Sequence, residues 1–356
     1  MKVTTDRTTR WRSADRPVVG ILWREALESP IYFPWLRNSS TDIEIRVIAD
    51  YESAQLVPED VDLVVTHNHY RWDELAVLRA ALNSHDRGVL VLADGITEFR
   101  NSWDNPSTPA GCLMQPALAH KIATLGPAQS RVWESWGNHG KCESVGLPRL
   151  DESLDRFGWR GDGRSTAFPD PELPAAPTLL ICSARTPAFA ESQWEVVLAQ
   201  FASLAESLRR DPPLLDGRPV QVYWRVSDRI REHLHLAADQ CSTGDVATAI
   251  AGSTAVITTP STLQLEAMVA HRPVALLNFF NVPLYVPAAW NITSPAEISV
   301  MVRQLLSPTA DRMFFQQNVV RDQLWCESAA TERMGVLVNT MAQIAHRQRR
   351  LGRPIQ

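Results

Sequence analysis

The chain has 356 residues, of which 45% are hydrophobic and 21% charged, and a formal net charge of -5. That length exceeds what a single hydrophobic core usually spans, so two domains are expected, and the mildly acidic balance supplies no basic footprint for nucleic acid. The longest apolar runs, such as Val89 to Ala93 and Val274 to Leu277, have strand length and fall far short of the roughly 20 residues of a transmembrane helix.

The first sixteen residues are rich in Thr and Arg and contain no apolar stretch, which reads as a polar tail and not a signal peptide. Cys112, Cys142, Cys182, Cys241 and Cys326 are odd in number, widely spaced and never in a Cys-x-x-Cys pair. Such thiols fit a reducing, cytoplasmic compartment. The ordered chain opens at Pro17. Apolar strands are expected at Val18 to Trp23, Glu44 to Ala49, Asp62 to Thr66 and Val89 to Ala93, with a helix over Trp72 to Asn83 where Leu75, Leu78, Ala81 and Leu82 recur at helical spacing. Alternation at this pitch specifies a parallel, doubly wound sheet.

In such sheets ligands bind beyond the carboxyl ends of the strands, which directs attention to two loops. Thr66-His67-Asn68-His69 follows the third strand, and Asp94-Gly95-Ile96-Thr97-Glu98 follows the fourth. Asp94 is placed to act as a general base or to cap its own loop, and Gly95 would let the backbone turn sharply and a ligand approach closely. Glu98 is either a second carboxylate of the site or a solvated surface acid. His67 and His69 compete for the role of base; no carboxylate or thiol stands at ligand spacing from them, so a metal site is not expected. Arg100 to Pro109 lacks an apolar period and is expected to be an exposed binding loop, with Trp103 stacking on a sugar or covering the core.

A short strand at His120 to Leu125, a helix at Gln129 to Trp136 and a strand at Glu143 to Val145 complete the first half. Gly146-Leu147-Pro148-Arg149-Leu150-Asp151 reads as a domain exit, and the Gly-, Asp- and Pro-rich stretch 151–177 as a linker. The pattern then repeats: a strand at Thr178 to Ser183, a helix at Glu191 to Leu208, a strand at Val220 to Trp224 and a short helix around Asp228 to Leu234. Next come a strand at Ala255 to Thr258, the turn Thr259-Pro260-Ser261-Thr262, a helix carrying Glu266 and a strand at Val274 to Leu277. Ser261 or Thr262 can cap that helix and leave amide donors for a phosphate, while Glu266, one turn on, could accept from ribose hydroxyls. Arg185 and Arg225 end the first two strands of this half, where a guanidinium could neutralise a donor phosphate.

These residues carry a resemblance. The Gly146-to-Asp151 exit, followed by Thr259-Pro260-Ser261-Thr262-Leu263-Gln264-Leu265-Glu266-Ala267 and Arg272-Pro273-Val274, resembles the GT-B nucleotide-sugar glycosyltransferases, in particular bacterial surface-polysaccharide transferases for sialic acid, Kdo and polyol phosphates. The resemblance covers Pro17 to about Leu306. It implies two doubly wound, Rossmann-like α/β domains facing across a cleft, with a nucleotide-sugar donor on the second, a glycan or lipid-linked acceptor on the first, and transfer without a metal or other cofactor. Ala93-Asp94-Gly95 is similar to the acidic-acidic-Gly motif of the sialyl- and Kdo-transferases and keeps its second acid, which makes Asp94 the residue to carry over as catalytic. Ser261-Thr262 is similar to their phosphate-binding pair. Their His-Pro pair has no counterpart in Tyr223-Trp224-Arg225-Val226-Ser227, so a CMP donor is not carried over.

The expected organisation is a tail at 1–16, an acceptor domain at 17–150, a linker at 151–177, a donor domain at 178–308 and a helical segment at 309–356. A nucleotide-sugar 2-epimerase of the same fold and a non-catalytic nucleotide-sugar-binding subunit are the alternative functions. The basic run Ala345-His346-Arg347-Gln348-Arg349-Arg350 is a solvated helix end, or a peripheral contact to the acidic inner face of a membrane.

Overall fold

The computed structural model describes residues 16–22, 42–48, 57–67, 72–84, 86–106, 108, 114–160 and 176–355. By contacts the chain divides into two compact units, one made of residues 1–94, 107–151 and 324–356, the other of residues 95–106 and 152–323. His69 and Cys112 lie outside the described residues, as does most of the expected linker. Among the described residues no helix is long and apolar enough to cross a membrane.

The first unit holds a six-stranded sheet. Its strands are β1 (Val18–Ile21), β2 (Glu44–Val47), β3 (Leu63–Thr66), β4 (Gly88–Leu92), β5 (Lys121–Thr124) and β6 (Cys142–Ser144), in the order β2-β1-β3-β4-β5-β6. Every pairing is parallel, with Val64 opposite Val89 and Leu90 opposite Lys121 in register. Strands β1, β3 and β4 are buried at every position, which is why they read as continuous apolar runs.

The last long helix, Ala330–Arg350, belongs to this unit. Its Met334, Val338, Met341 and Ala342 are buried in one core with Val19, Ile21, Leu63, Val65, Leu90 and Leu92. The domain-exit motif receives its start. Asp151 accepts hydrogen bonds from the amides of Ala330 at 2.9 Å and Thr331 at 2.8 Å, so a carboxylate remote in sequence caps the helix and meets its positive end. Gly146 sits at φ +96°, and a Cβ there would lie 2.8 Å from that of Ala330. Arg333 donates from Nε to the Val145 carbonyl at 2.8 Å. The motif expected only to end a domain is therefore a docking site.

The other end of the helix is held by Asp62, which is almost fully buried. Its carboxylate accepts from the Val18 amide at 2.8 Å and from Arg349 at 3.2 Å, and meets His346 Nδ1 at 3.1 Å. The basic run is thus partly committed to the sheet and is not simply a solvated helix end.

The second unit holds five parallel strands, β7 (Thr178–Cys182), β8 (Gln221–Arg225), β9 (Ala255–Thr258), β10 (Val274–Leu277) and β11 (Trp290–Ile292), in the order β8-β7-β9-β10-β11. Helix Glu191–Arg210 buries Val197, Phe201 and Leu204 against Leu179, Ile181, Ile257 and Trp290. Strand β11 is not visible in the sequence because only Trp290 and Ile292 of its three residues are buried, too few to show a period.

Removing the Asp62 carboxylate strands the half-buried Arg349 guanidinium and the buried Val18 amide. Asp62→Ala is expected to lower the unfolding free energy by about 2–4 kcal/mol, read as a lower urea midpoint, with earlier proteolysis of the 330–350 segment than of either sheet.

Candidate functional site

In the second sheet β8 lies on one side of β7 and β9 on the other. The chain reverses its winding there, and in open α/β sheets such a point, beyond the carboxyl ends of the strands, is where ligands bind. The loops that follow β7, β8 and β9 are bonded to one another. Ser183 Oγ accepts from the Ser227 amide at 2.9 Å, and Thr259 Oγ1 accepts from the Ala184 amide at 2.8 Å. The sequence-predicted donor residues gather on this edge.

Arg185 is exposed in the first loop and Arg225 is half-buried at the end of β8; among the described residues neither makes a salt bridge. Cys182 shows that Arg225 and Glu266 share its surroundings. Its thiol is pushed up to about 12, mainly by burial, with Arg225 pulling down and Glu266 pushing up. Ser261 occupies the N-cap of helix Thr262–Val269 without making a side-chain cap, and its buried Oγ has no partner among the described residues. The buried Oγ of Ser227 is likewise unpartnered there. Two orphan hydroxyls, two guanidiniums and the start of a helix thus lie on the loops that follow β7, β8 and β9.

Thr262 is engaged differently. Its Oγ1 accepts from the Ile96 amide at 3.1 Å, so its remaining gift to a ligand is its own hydroxyl proton. Gly95 is the reason Ile96 reaches it, since a Cβ on Gly95 would stand 2.1 Å from that oxygen. Gly95 does not adopt a positive φ; the expected sharp turn is replaced by close packing against a helix start.

Residues 95–106 belong to the second unit. The stretch expected as an exposed loop contains a helix, Phe99–Trp103, with Arg100 and Ser102 buried. External bonds hold it. The Arg100 amide donates to Asn281 Oδ1 at 3.2 Å and its guanidinium to the Pro187 carbonyl at 3.3 Å, while Gln193 Nε2 donates to the Asp104 carbonyl at 3.0 Å. Trp103 is 43% exposed and donates to the Tyr285 hydroxyl at 3.0 Å, so it does not cover the core.

Glu98 is part of this assembly and is not a solvated surface acid. It accepts from Asn281 Nδ2, and burial pushes its carboxyl up to about 7 against the opposing pulls of Asn281 and Arg100. The cavity beside it, about 10 Å³ and lined by Pro260 and Tyr285 among others, has room for about one water. Asn281 was not legible as a site residue. Its signal is the pair Asn278 and Asn281 directly after β10, which bond each other reciprocally at 2.7 and 2.9 Å.

In the first unit Asp94 follows β4 and is exposed, yet desolvation by surrounding protein raises its carboxyl pKa, opposed by the Arg149 charge and by a backbone hydrogen bond. Arg149 donates from Nη1 to the Asp94 carbonyl at 2.9 Å. His67 directly follows β3 and is buried, which leaves Asp94 the more accessible of the two. Among the described residues no group of three or more His, Cys, Asp or Glu could hold a metal.

No protein-family model matches the chain, and no curated protein matches it. Solved structures do. A putative UDP-N-acetylglucosamine 2-epimerase from Listeria monocytogenes superposes with a TM-score of 0.60 at 12% identity, covering 92% of this chain and 97% of that one. The chain has the GT-B fold. MnaA of S. aureus in complex with UDP gives a TM-score of 0.59 at 12% identity, over 92% of this chain and 96% of that one. The wall teichoic acid polymerase TagF gives 0.55 at 12% identity, over 92% and 89%.

The tight approach of Gly95 makes a sharp test. Gly95→Ala is expected to cost about 1–3 kcal/mol by overpacking; in the Thr262→Ala background, where the nearest atom left is the residue-262 Cβ at 3.4 Å, that cost should largely vanish in a double-mutant cycle. Glu98 predicts a pH dependence. A carboxyl with an ordinary value of 4.5 raised to about 7 in the folded state stabilises fully below pH 4.5, and that contribution is lost as pH rises through 7. Unfolding at several pH values should show this decline in the wild type, and Glu98→Gln should remove it.

Proposed function

We propose that this protein is a glycosyltransferase that moves a sugar from a nucleotide-activated donor to a glycan or lipid-linked acceptor, with the donor nucleotide held on the carboxyl edge of the second sheet. The observation that carries the reading is that Arg185, Arg225, the orphan Ser261 hydroxyl and the start of helix Thr262–Val269 all follow the carboxyl ends of neighbouring strands, with Glu266 one turn further on. In this reading the guanidiniums and the helix start meet the diphosphate, and the Glu266 carboxylate accepts from ribose hydroxyls. The similar solved structures support it, since MnaA was solved with UDP and an epimerase from Methanocaldococcus jannaschii, at 12% identity over 85% of this chain, with UDP-GlcNAc and UDP.

Asp94 acts as the general base. It takes the proton of an acceptor hydroxyl as that oxygen bonds to the anomeric carbon and the bond to the donor phosphate breaks. Negative charge then grows on the departing nucleotide, where preorganised donors stabilise the transition state more than the ground state. A carboxyl raised above its ordinary value is the stronger base of two otherwise similar acids. No metal is required by this division of labour, because the cations are guanidiniums. We propose a cytoplasmic location, with a peripheral contact to the inner face of a membrane through the remaining basic residues of the C-terminal helix.

A 2-epimerase is the second reading, favoured by the fold similarity to epimerases and by Glu98, whose carboxyl at about 7 suits proton exchange near neutral pH. An epimerase converts its nucleotide sugar without an acceptor, so NMR of a donor incubated alone separates the two.

A thermal-shift panel of UDP, CDP, GDP, TDP and CMP is expected to give one strong ligand; at 100 times its dissociation constant it adds about 2.7 kcal/mol of stability. Arg185→Met should weaken that nucleotide by about tenfold or more. Asp94→Asn should leave nucleotide binding intact and lower transfer by about 100-fold or more; full transfer by this variant would remove Asp94 from catalysis.

A further inference from the structure

Arg149 belongs to a motif that sequence reading assigns to a domain exit, and its geometry gives it another task. The turn Pro148–Leu150 is rigidly set. Leu147, Pro148 and Leu150 are buried, the amides of Val145 and Gly146 both donate to the Thr124 carbonyl at 2.9 and 3.1 Å, and the next residue, Asp151, is fixed by capping the C-terminal helix. From this platform the half-buried Arg149 extends back across the strand ends to donate to the Asp94 carbonyl at 2.9 Å.

We propose that Arg149 is the positioning residue for Asp94, tethering its backbone at the end of β4 and supplying the positive charge beside its carboxyl. This rests on the reading of Asp94 as general base. The physical need is plain. Protein around Asp94 disfavours its ionised form, and a base that stays protonated near neutral pH accepts nothing. Among the described residues Arg149 is the charge that acts on this carboxyl; a backbone hydrogen bond adds a smaller pull in the same direction. An opposite charge within a few ångströms moves a carboxyl by about 1–3 pH units, enough to set the acid edge of activity. The same turn couples that edge to the fold, since it caps the C-terminal helix.

Two variants separate charge from tether. Arg149→Gln keeps a donor for the Asp94 carbonyl and loses the charge; Arg149→Lys keeps the charge on a flexible stem. In the intact chain with carbon-13 labelled aspartate, the Asp94 carboxyl is identified by its absence in Asp94→Asn and titrated by NMR. Arg149→Gln is expected to raise its midpoint by about 1 unit, with Arg149→Lys much closer to wild type, and the acid limb of kcat/KM should move by the same amount. Thermal melts identify any variant that fails to fold, and the other then carries the comparison. An unmoved midpoint in folded Arg149→Gln overturns the proposal, as does an equal displacement in both variants. The readings fail separately: if Asp94→Asn retains turnover, the base assignment falls, while the titration still reports whether Arg149 governs the carboxyl.

Discussion

With no side chain at Gly95, the peptide of Ile96 reaches Thr262 Oγ1 at 3.1 Å, and this contact decides which unit residues 95–106 join. Once it forms, Glu98 meets Asn281, Arg100 meets Asn281 and Pro187, and Trp103 meets Tyr285. Each bond is modest by itself. Together they seat residues 95–106 within the second unit. The helix start proposed to face the phosphate is therefore also the anchor of the segment carrying Glu98.

The parallel sheets were largely legible in the sequence because their central strands are buried on both faces and need long apolar runs. The strand, polar turn and helix that carry Ser261, Thr262 and Glu266 were legible for a related reason, since an apolar strand and a capped helix bracket the turn. The short helix Phe99–Trp103 was not legible. Its residues have no helical period, and the bonds that hold it come from Asn281, Pro187 and Gln193, partners between 87 and 181 positions further along the chain. The environment of Glu98 was hidden by the same distance, since nothing nearby in sequence announces that Asn281 will sit against it. Gly95 illustrates a subtler loss, because its value lies in an absent atom.

The exit motif shows how one short segment serves several constraints. Gly146 admits the C-terminal helix, Asp151 caps it, and Arg149 points away from it to Asp94. A substitution chosen to loosen the helix would also disturb the proposed base, so stability and pH response are coupled through six residues. Such coupling differs from a relay across the molecule, because every participant lies in one unit and the parts are in direct contact.

The capping of Ala330 and Thr331 by Asp151 also has a temporal side. The core of the first sheet contains Met334, Val338, Met341 and Ala342, so its apolar face stays incomplete while residues 152–323 are being synthesised. A nascent chain therefore carries an unfinished first unit through the making of the whole second one, and the second has all its strands before the first is closed. Ribosome-bound intermediates would expose the uncovered face of β1, β3 and β4 to chaperones and to other chains. The helix that closes the sheet is in effect a late seal, and its arrival separates a vulnerable nascent form from the finished molecule.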